Sequence, residues 1–210
     1  MVEKLNIAVF ASGKGSNFKA LLDAITAGKI GNAEIVLLIS NNSYAGALVI
    51  AREHNIPAIH LNRKQFETDE TWNKALLKTL NTHGVNFIAL SGYMKKLDSA
   101  IVKAFKSRIV NIHPALLPAF GGRGMYGIHV HEAVLASKAK VSGATVHIVD
   151  EEYDHGPIVL QRTVEVNPND TPESLSAKVL EIEHQLYPEA IRLFAEGKVK
   201  VNGQRVMILN

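Results

Sequence analysis

The 210-residue chain is 47% hydrophobic and 20% charged, the balance of a globular protein able to bury a sizeable core, which excludes a disordered chain. Its net charge of +3 comes from scattered basic residues, with Lys95-Lys96 the densest pair away from the ends; this suits small anionic ligands and does not imply nucleic acid. The absence of cysteine excludes disulfides, thiol nucleophiles and thiolate-ligated metals, and fits a cytoplasmic protein.

The first apolar run, within residues 1–11, is short and interrupted by Glu3, Lys4 and Asn6. It does not fit a signal peptide or a membrane span, so no membrane association is expected, and it reads as a first strand over 7–11. Further apolar, β-branched runs at 35–39, 58–61, 87–90 and 109–112 are too continuous for half-exposed strands and suit buried parallel ones. Amphipathic stretches separate them. Residues 18–27 place Phe18, Leu21, Leu22 and Ile25 on one helical face before Gly28, residues 45–54 end near Asn55 and Pro57, and 71–80 and 99–105 supply two more crossovers. This alternation predicts an α/β fold with an open, mostly parallel, Rossmann-like sheet, helices on both faces, and ligands at the C-terminal ends of the strands.

After Pro114 the texture changes. A loop containing Gly and Pro runs to Gly127, a short helix covers about 131–137, and strands at 144–149 and 158–166 bracket an acidic turn as antiparallel additions. Thr171-Pro172-Glu173-Ser174 reads as a helix start with Thr171 as N-cap and Pro172 at the first position; the long helix that follows is interrupted at Pro188. Asn202-Gly203 between Val-rich arms predicts a small terminal hairpin over 198–209. No repeat or linker divides the chain. One domain over 1–210 is expected, with a phosphate-binding βαβ half (1–113) and a second half (114–210) of loop, strands, long helix and hairpin.

Ser12-Gly13-Lys14-Gly15-Ser16-Asn17 lies between the first strand and the first helix, where glycines let backbone N–H groups converge on an anion at the helix N-terminus. The dinucleotide fingerprint needs a small residue where Phe18 stands, and the P-loop needs Ser or Thr where Gly15 stands. A phosphate cradle remains, as does a tight turn with Asn17 as helix cap and no ligand. Asn111 and His113, two apart at the end of a strand, share one side while Val110 and Ile112 face the other, and Pro114 ends strand pairing. An amide and an imidazole so placed can stabilise the oxyanion of acyl transfer and move a proton. They equally suit structural hydrogen bonds to a loop. Asp154, in the turn Asp150-Glu151-Glu152-Tyr153-Asp154-His155-Gly156-Pro157, is the candidate partner of His113, raising its pKa; a solvated acidic turn explains the same residues. His129, His131 and His147 invite a metal, but the first two are spaced i, i+2, off one helical face, and His147 in an apolar strand reads as a core histidine, so no metal is expected.

Taken together, Gly13-Lys14-Gly15-Ser16-Asn17, Gly92-Tyr93-Met94-Lys95-Lys96-Leu97, Asn111-Ile112-His113-Pro114-Ala115-Leu116-Leu117-Pro118 and Asp154-His155-Gly156-Pro157 resemble the phosphoribosylglycinamide formyltransferase family over nearly the whole chain. The resemblance implies direct, metal-free transfer of the formyl group of 10-formyltetrahydrofolate, a cosubstrate, to the amine of glycinamide ribonucleotide in purine biosynthesis. It assigns catalysis to Asn111, His113 and Asp154, and ribonucleotide binding to Gly15, Ser16, Asn17 and Glu183. It assigns the reduced folate to Met94, Lys95, Lys96, Leu97, Asn111, Asp150, Glu151, Glu152, Tyr153 and Asp154. A monomer or weak homodimer is expected. Three departures stand out: Ala115 where relatives often have Ser, Asp69 where some carry a folate-contacting Arg, and a longer segment over 120–130 with the look of a glycine-hinged lid bearing Arg123. A formyltetrahydrofolate hydrolase would be expected to carry an added N-terminal domain, and a methionyl-tRNA formyltransferase a basic C-terminal one. A catalytically silent anion-binding module with the same fold is the remaining alternative.

Overall fold

The computed structural model describes residues 2–209; Met1 and Asn210, the two ends of the expected domain, lie outside the described residues. Five parallel strands, β1 (Leu5–Phe10), β2 (Ala33–Ser40), β3 (Ala58–His60), β4 (Phe87–Leu90) and β5 (Ile109–His113), share a sheet with the antiparallel β6 (Val141–Ile148) and β7 (Ile158–Glu165). The strand order is β3-β2-β1-β4-β5-β6-β7. Helices α1 (Ser16–Thr26), α2 (Gly46–Glu53), α5 (Ile128–Ala136) and α6 (Pro172–Ala195) cover one face, and α3 (Asp69–Thr82) and α4 (Ser99–Ala104) the other.

The unbroken apolar runs follow from this double cover. Along β1 and the residue after it, Ile7, Val9 and Ala11 enter the core beneath α1 and α6, while Ala8 and Phe10 enter the core beneath α3 and α4. The chain leaves β1 toward β2 and β3, then returns to β4 on the other side, so the loops after β1 and β4 diverge and open a crevice at the strand C-termini. Ser12 ties that crevice together: its hydroxyl donates to Asn41 Oδ1 at 2.5 Å and accepts the Met94 N–H at 2.8 Å.

Thr171 caps α6 as expected, its hydroxyl accepting the Ser174 N–H. Three details differ from the sequence reading. Helix α6 is not interrupted at Pro188 but runs through it. The proline removes one helical hydrogen bond, a local cost of about 3 kcal/mol, yet Tyr187, Ala190 and Ile191 are fully enclosed and the Tyr187 phenol donates to the Leu90 carbonyl at 2.9 Å. Packing holds the helix across the gap. In the terminal hairpin, β8 (Val199–Asn202) and β9 (Arg205–Ile208), Asn202 is the last strand residue and the turn falls on Gly203 and Gln204, one position later than expected. Helix α5 starts three residues earlier than expected, after Gly127, which puts both His129 and His131 on the helix. Among the described residues, no helix is long and apolar enough to cross a membrane.

Candidate active site

A cleft of about 780 Å³ lies at the C-terminal ends of β1, β4 and β5, bounded by the start of α1, the loop after β4, the segment 122–128 and one side of α6. At one end Ser16 and Asn17 open α1. Gly15 is the N-cap, with φ 85, and no side chain caps the helix, so the first-turn N–H groups stay available to an anion. Asn17 is not the cap that a ligand-free turn required; it sits inside the first turn and donates through Nδ2 to Glu183 Oε2 at 2.5 Å. Gly15 is also demanded by packing, since a Cβ there would lie 2.8 Å from Ala47 Cα on α2.

At the other end β5 presents Asn111 and His113 on one side, while Val110 and Ile112 enter the core. Asp154 reaches back from the turn between β6 and β7, in a left-handed conformation at φ 52 that asparagine and aspartate tolerate better than most residues. Its Oδ2 lies 3.6 Å from His113 Nδ1 and its Oδ1 lies 3.6 Å from His147 Nε2, electrostatic contacts rather than hydrogen bonds. The 120–130 segment grips the same groups. His113 Nε2 donates to the Phe120 carbonyl at 2.8 Å, and the Gly122 N–H donates to Asp154 Oδ2 at 2.9 Å. With Nε2 committed to a carbonyl, Nδ1, the nitrogen facing Asp154, is the one left able to exchange a proton.

His147 is the buried core histidine that its apolar strand suggested, and it also supports the site. It pairs directly opposite Asn111 across β5 and β6, its Nδ1 donates to the Ile148 carbonyl at 3.0 Å, and Nε2 accepts from Asn111 Nδ2 at 3.2 Å. One amide hydrogen of Asn111 is thereby engaged, the other has no partner among the described residues, and the residue lines the cleft. Thr145, two positions earlier, supports the loop after β5: its hydroxyl donates to the Ala115 carbonyl at 2.6 Å and accepts the Leu117 N–H at 3.0 Å.

Burial lowers the pKa of His113, outweighing the Asp154 carboxylate and the Phe120 carbonyl that pull it up, with His147 adding to the lowering. Asp154 does pull this pKa upward, as expected, but burial takes away more than the carboxylate returns: the imidazole is 3% exposed and rests neutral at pH 7. For Asp154 burial pushes upward, but the adjoining His147 and His113 rings and the Gly122 amide win, so its pKa is lowered and it is ionised. Glu183, on the side of α6 that lines the cleft, is 7% exposed, and burial raises its pKa to about 7 against the Asn17 hydrogen bond.

The predicted folate residues divide. Met94 and Lys95 line the cleft, and Lys95, Lys96 and Leu97 meet Asp150, Glu152, Tyr153 and Asp154 around an adjoining hollow that also touches Asn111 and His147. Lys96 Nζ stands 5.4 Å from the centre of the Tyr153 ring. Glu151 is not brought in; it faces Lys103 on α4 at 3.5 Å. Asp150 organises the turn, accepting the Glu152 N–H at 2.9 Å and bonding His155 Nδ1 at 2.8 Å. Asp69, at the start of α3, pairs with Arg63 outside the cleft, and Ala115 is fully buried. Among the described residues no three His, Asp or Glu side chains converge as a metal site requires; His129 turns outward to Glu132 while His131 turns in.

Residues 5–191 match the model of the formyl transferase family. The chain is 45% identical over 195 residues to the chloroplastic phosphoribosylglycinamide formyltransferase of Arabidopsis thaliana, covering 92% of this chain and 66% of that protein. It is 43% identical to the Vigna unguiculata protein of the same name, covering 94% of this chain and 63% of that one. The chain thus spans a little under two thirds of the length of these plant relatives. Glycinamide ribonucleotide transformylase 1 from Symbiobacterium toebii superposes with a TM-score of 0.92 at 39% identity, covering 99% of this chain and 95% of that one. The matched residues carry every side chain of the cleft, and the same fold extends over nearly the whole chain: this protein belongs to the formyl transferase family.

Proposed function

We propose that this chain transfers the formyl group of 10-formyltetrahydrofolate to the amine of glycinamide ribonucleotide, a step of de novo purine biosynthesis. The observation that carries the reading is one cleft with an uncapped helix N-terminus at one end and Asn111, His113 and Asp154 at the other. A phosphorylated amine fits that polarity. Backbone N–H groups at Gly15, Ser16 and Asn17 hold its phosphate, and Glu183 accepts from its ribose hydroxyls. Residues 94–97 and the turn 150–154 hold the pteridine through backbone groups and apolar walls, with Asp154 beside the carbon to be transferred. Work in the cytoplasm as a monomer or weak homodimer is part of the same reading.

In this mechanism the amine nitrogen attacks the formyl carbon, forming the new C–N bond. The free amide hydrogen of Asn111 meets the developing oxyanion, an interaction of about 3 kcal/mol in comparable sites. Asp154, ionised at rest, takes the proton from the attacking nitrogen and passes it to His113 Nδ1. Collapse of the oxyanion breaks the bond to N10 of the folate, which receives that proton and leaves as tetrahydrofolate. Because burial keeps His113 neutral until this moment, it can accept the proton and then release it readily.

Purified protein incubated with 10-formyltetrahydrofolate, with and without glycinamide ribonucleotide, tests the reading when tetrahydrofolate and formylated product are both followed. Product is expected only with the ribonucleotide. Equal tetrahydrofolate release without it would identify a hydrolase instead.

A further inference from the structure

His131 takes no part in the chemistry above, yet it is 2% exposed and lines the same cleft as Asn17, His113 and Glu183. It stands in the first turn of α5, brought inward where its neighbour His129 is turned out. Its Nδ1 is enclosed and has no hydrogen-bond partner among the described residues. The enclosed nitrogen leaves Nε2 as the polar atom by which the ring meets the cleft. An orphaned buried N–H is rarer and costs more than an orphaned acceptor, so Nδ1 is the bare lone pair and Nε2 carries the hydrogen. Protonation would place a second N–H at the enclosed position. Burial, and then the nearby His113, both lower the pKa of the ring.

We propose that His131 is a neutral hydrogen-bond donor of the acceptor site, its Nε2–H directed at an uncharged oxygen of the ribonucleotide between the phosphate and the amine. The inference rests on the reading of the cleft as a formyl-acceptor site. The phosphate end is served by the start of α1 and the reacting end by Asn111, His113 and Asp154, and His131 lines the cleft that both ends share. A neutral donor is what that place needs. An imidazolium beside His113 would depress its basicity further and block the proton relay, whereas a neutral N–H orients the substrate without adding charge.

Nitrogen-15 NMR of histidine-labelled wild-type protein, with the His131 signals assigned from His131→Gln, tests the tautomer apart from activity. From about pH 6 to about pH 8 the ring should stay neutral with its hydrogen on Nε2, where an ordinary imidazole titrates. A ring that titrates through this range, or holds its hydrogen on Nδ1, overturns the proposal. Calorimetric binding of glycinamide ribonucleotide should weaken about tenfold in His131→Leu, the effect of one neutral hydrogen bond, and return to within about threefold of wild type in His131→Gln. Folate binding should be unchanged in both. Failure of the wild type to bind the ribonucleotide would sink the acceptor reading itself; wild-type binding matched by His131→Leu would sink this inference alone.

Discussion

Replacing Glu183 by Gln should flatten the dependence of folding stability on pH. The carboxyl is 7% exposed, and burial raises its pKa from 4.5 to about 7 despite the hydrogen bond from Asn17. In the unfolded chain it titrates at its ordinary value, so between those two values the folded protein keeps a proton that the unfolded chain has released. Stability then falls as pH rises. At about 1.4 kcal/mol per unit, the loss amounts to about 3 kcal/mol once pH has passed the folded value of about 7. Glutamine has nearly the same shape, can still accept from Asn17 Nδ2 and cannot ionise, so this contribution should vanish. Urea unfolding of both proteins at about pH 4, 5.5, 7 and 8 would measure it, with the wild type losing about 3 kcal/mol relative to the variant over the series. Parallel stability curves would refute the reasoning.

His113→Ala and Asp154→Asn should each lower kcat by about 10² to 10⁴, while circular dichroism shows the native fold retained. Turnover near the wild-type level in either variant would overturn the assignment. Gly15→Val should destabilise the protein by more than about 2 kcal/mol in chemical unfolding, because it combines a disfavoured backbone angle with overpacking against Ala47. It should also raise the Michaelis constant for the ribonucleotide much more than that for the folate. In Gly121→Ala the new methyl would lie 2.5 Å from Leu117 Cδ2 and 3.1 Å from Asp154 Cβ, displacing the corner whose Gly122 N–H holds Asp154. Losing that donor removes one cause of the lowered carboxylate pKa, so the acidic limb of the kcat/KM profile should move to higher pH.

Much of the molecule was legible along the chain because the signals are local. Continuous apolar runs marked strands buried on both faces, and the four residues from Thr171 to Ser174 contain a complete helix start. Two positions on one strand were enough to put Asn111 and His113 on a common side. Pro188 misled because its helix-breaking tendency is a local term of about 3 kcal/mol, and the burial of Tyr187 and Ile191 that overrides it comes from strands far away in sequence.

The state of the site belonged to the tertiary structure. His147 supports Asn111 only because β5 and β6 pair in one register, and a shift of one residue would point it to the opposite face. Glu183 became a buried acid because the fold encloses it, even though it accepts from Asn17, 166 positions earlier, and His131 entered the cleft because α5 begins just after Gly127. Residue types and strand geometry in the sequence were sufficient to name Asn111, His113 and Asp154 as candidates. Whether His113 rests charged or neutral depended on how much water the folded chain removes from the imidazole against the pull of one carboxylate 3.6 Å away, and burial is a property of packing that no local pattern carries.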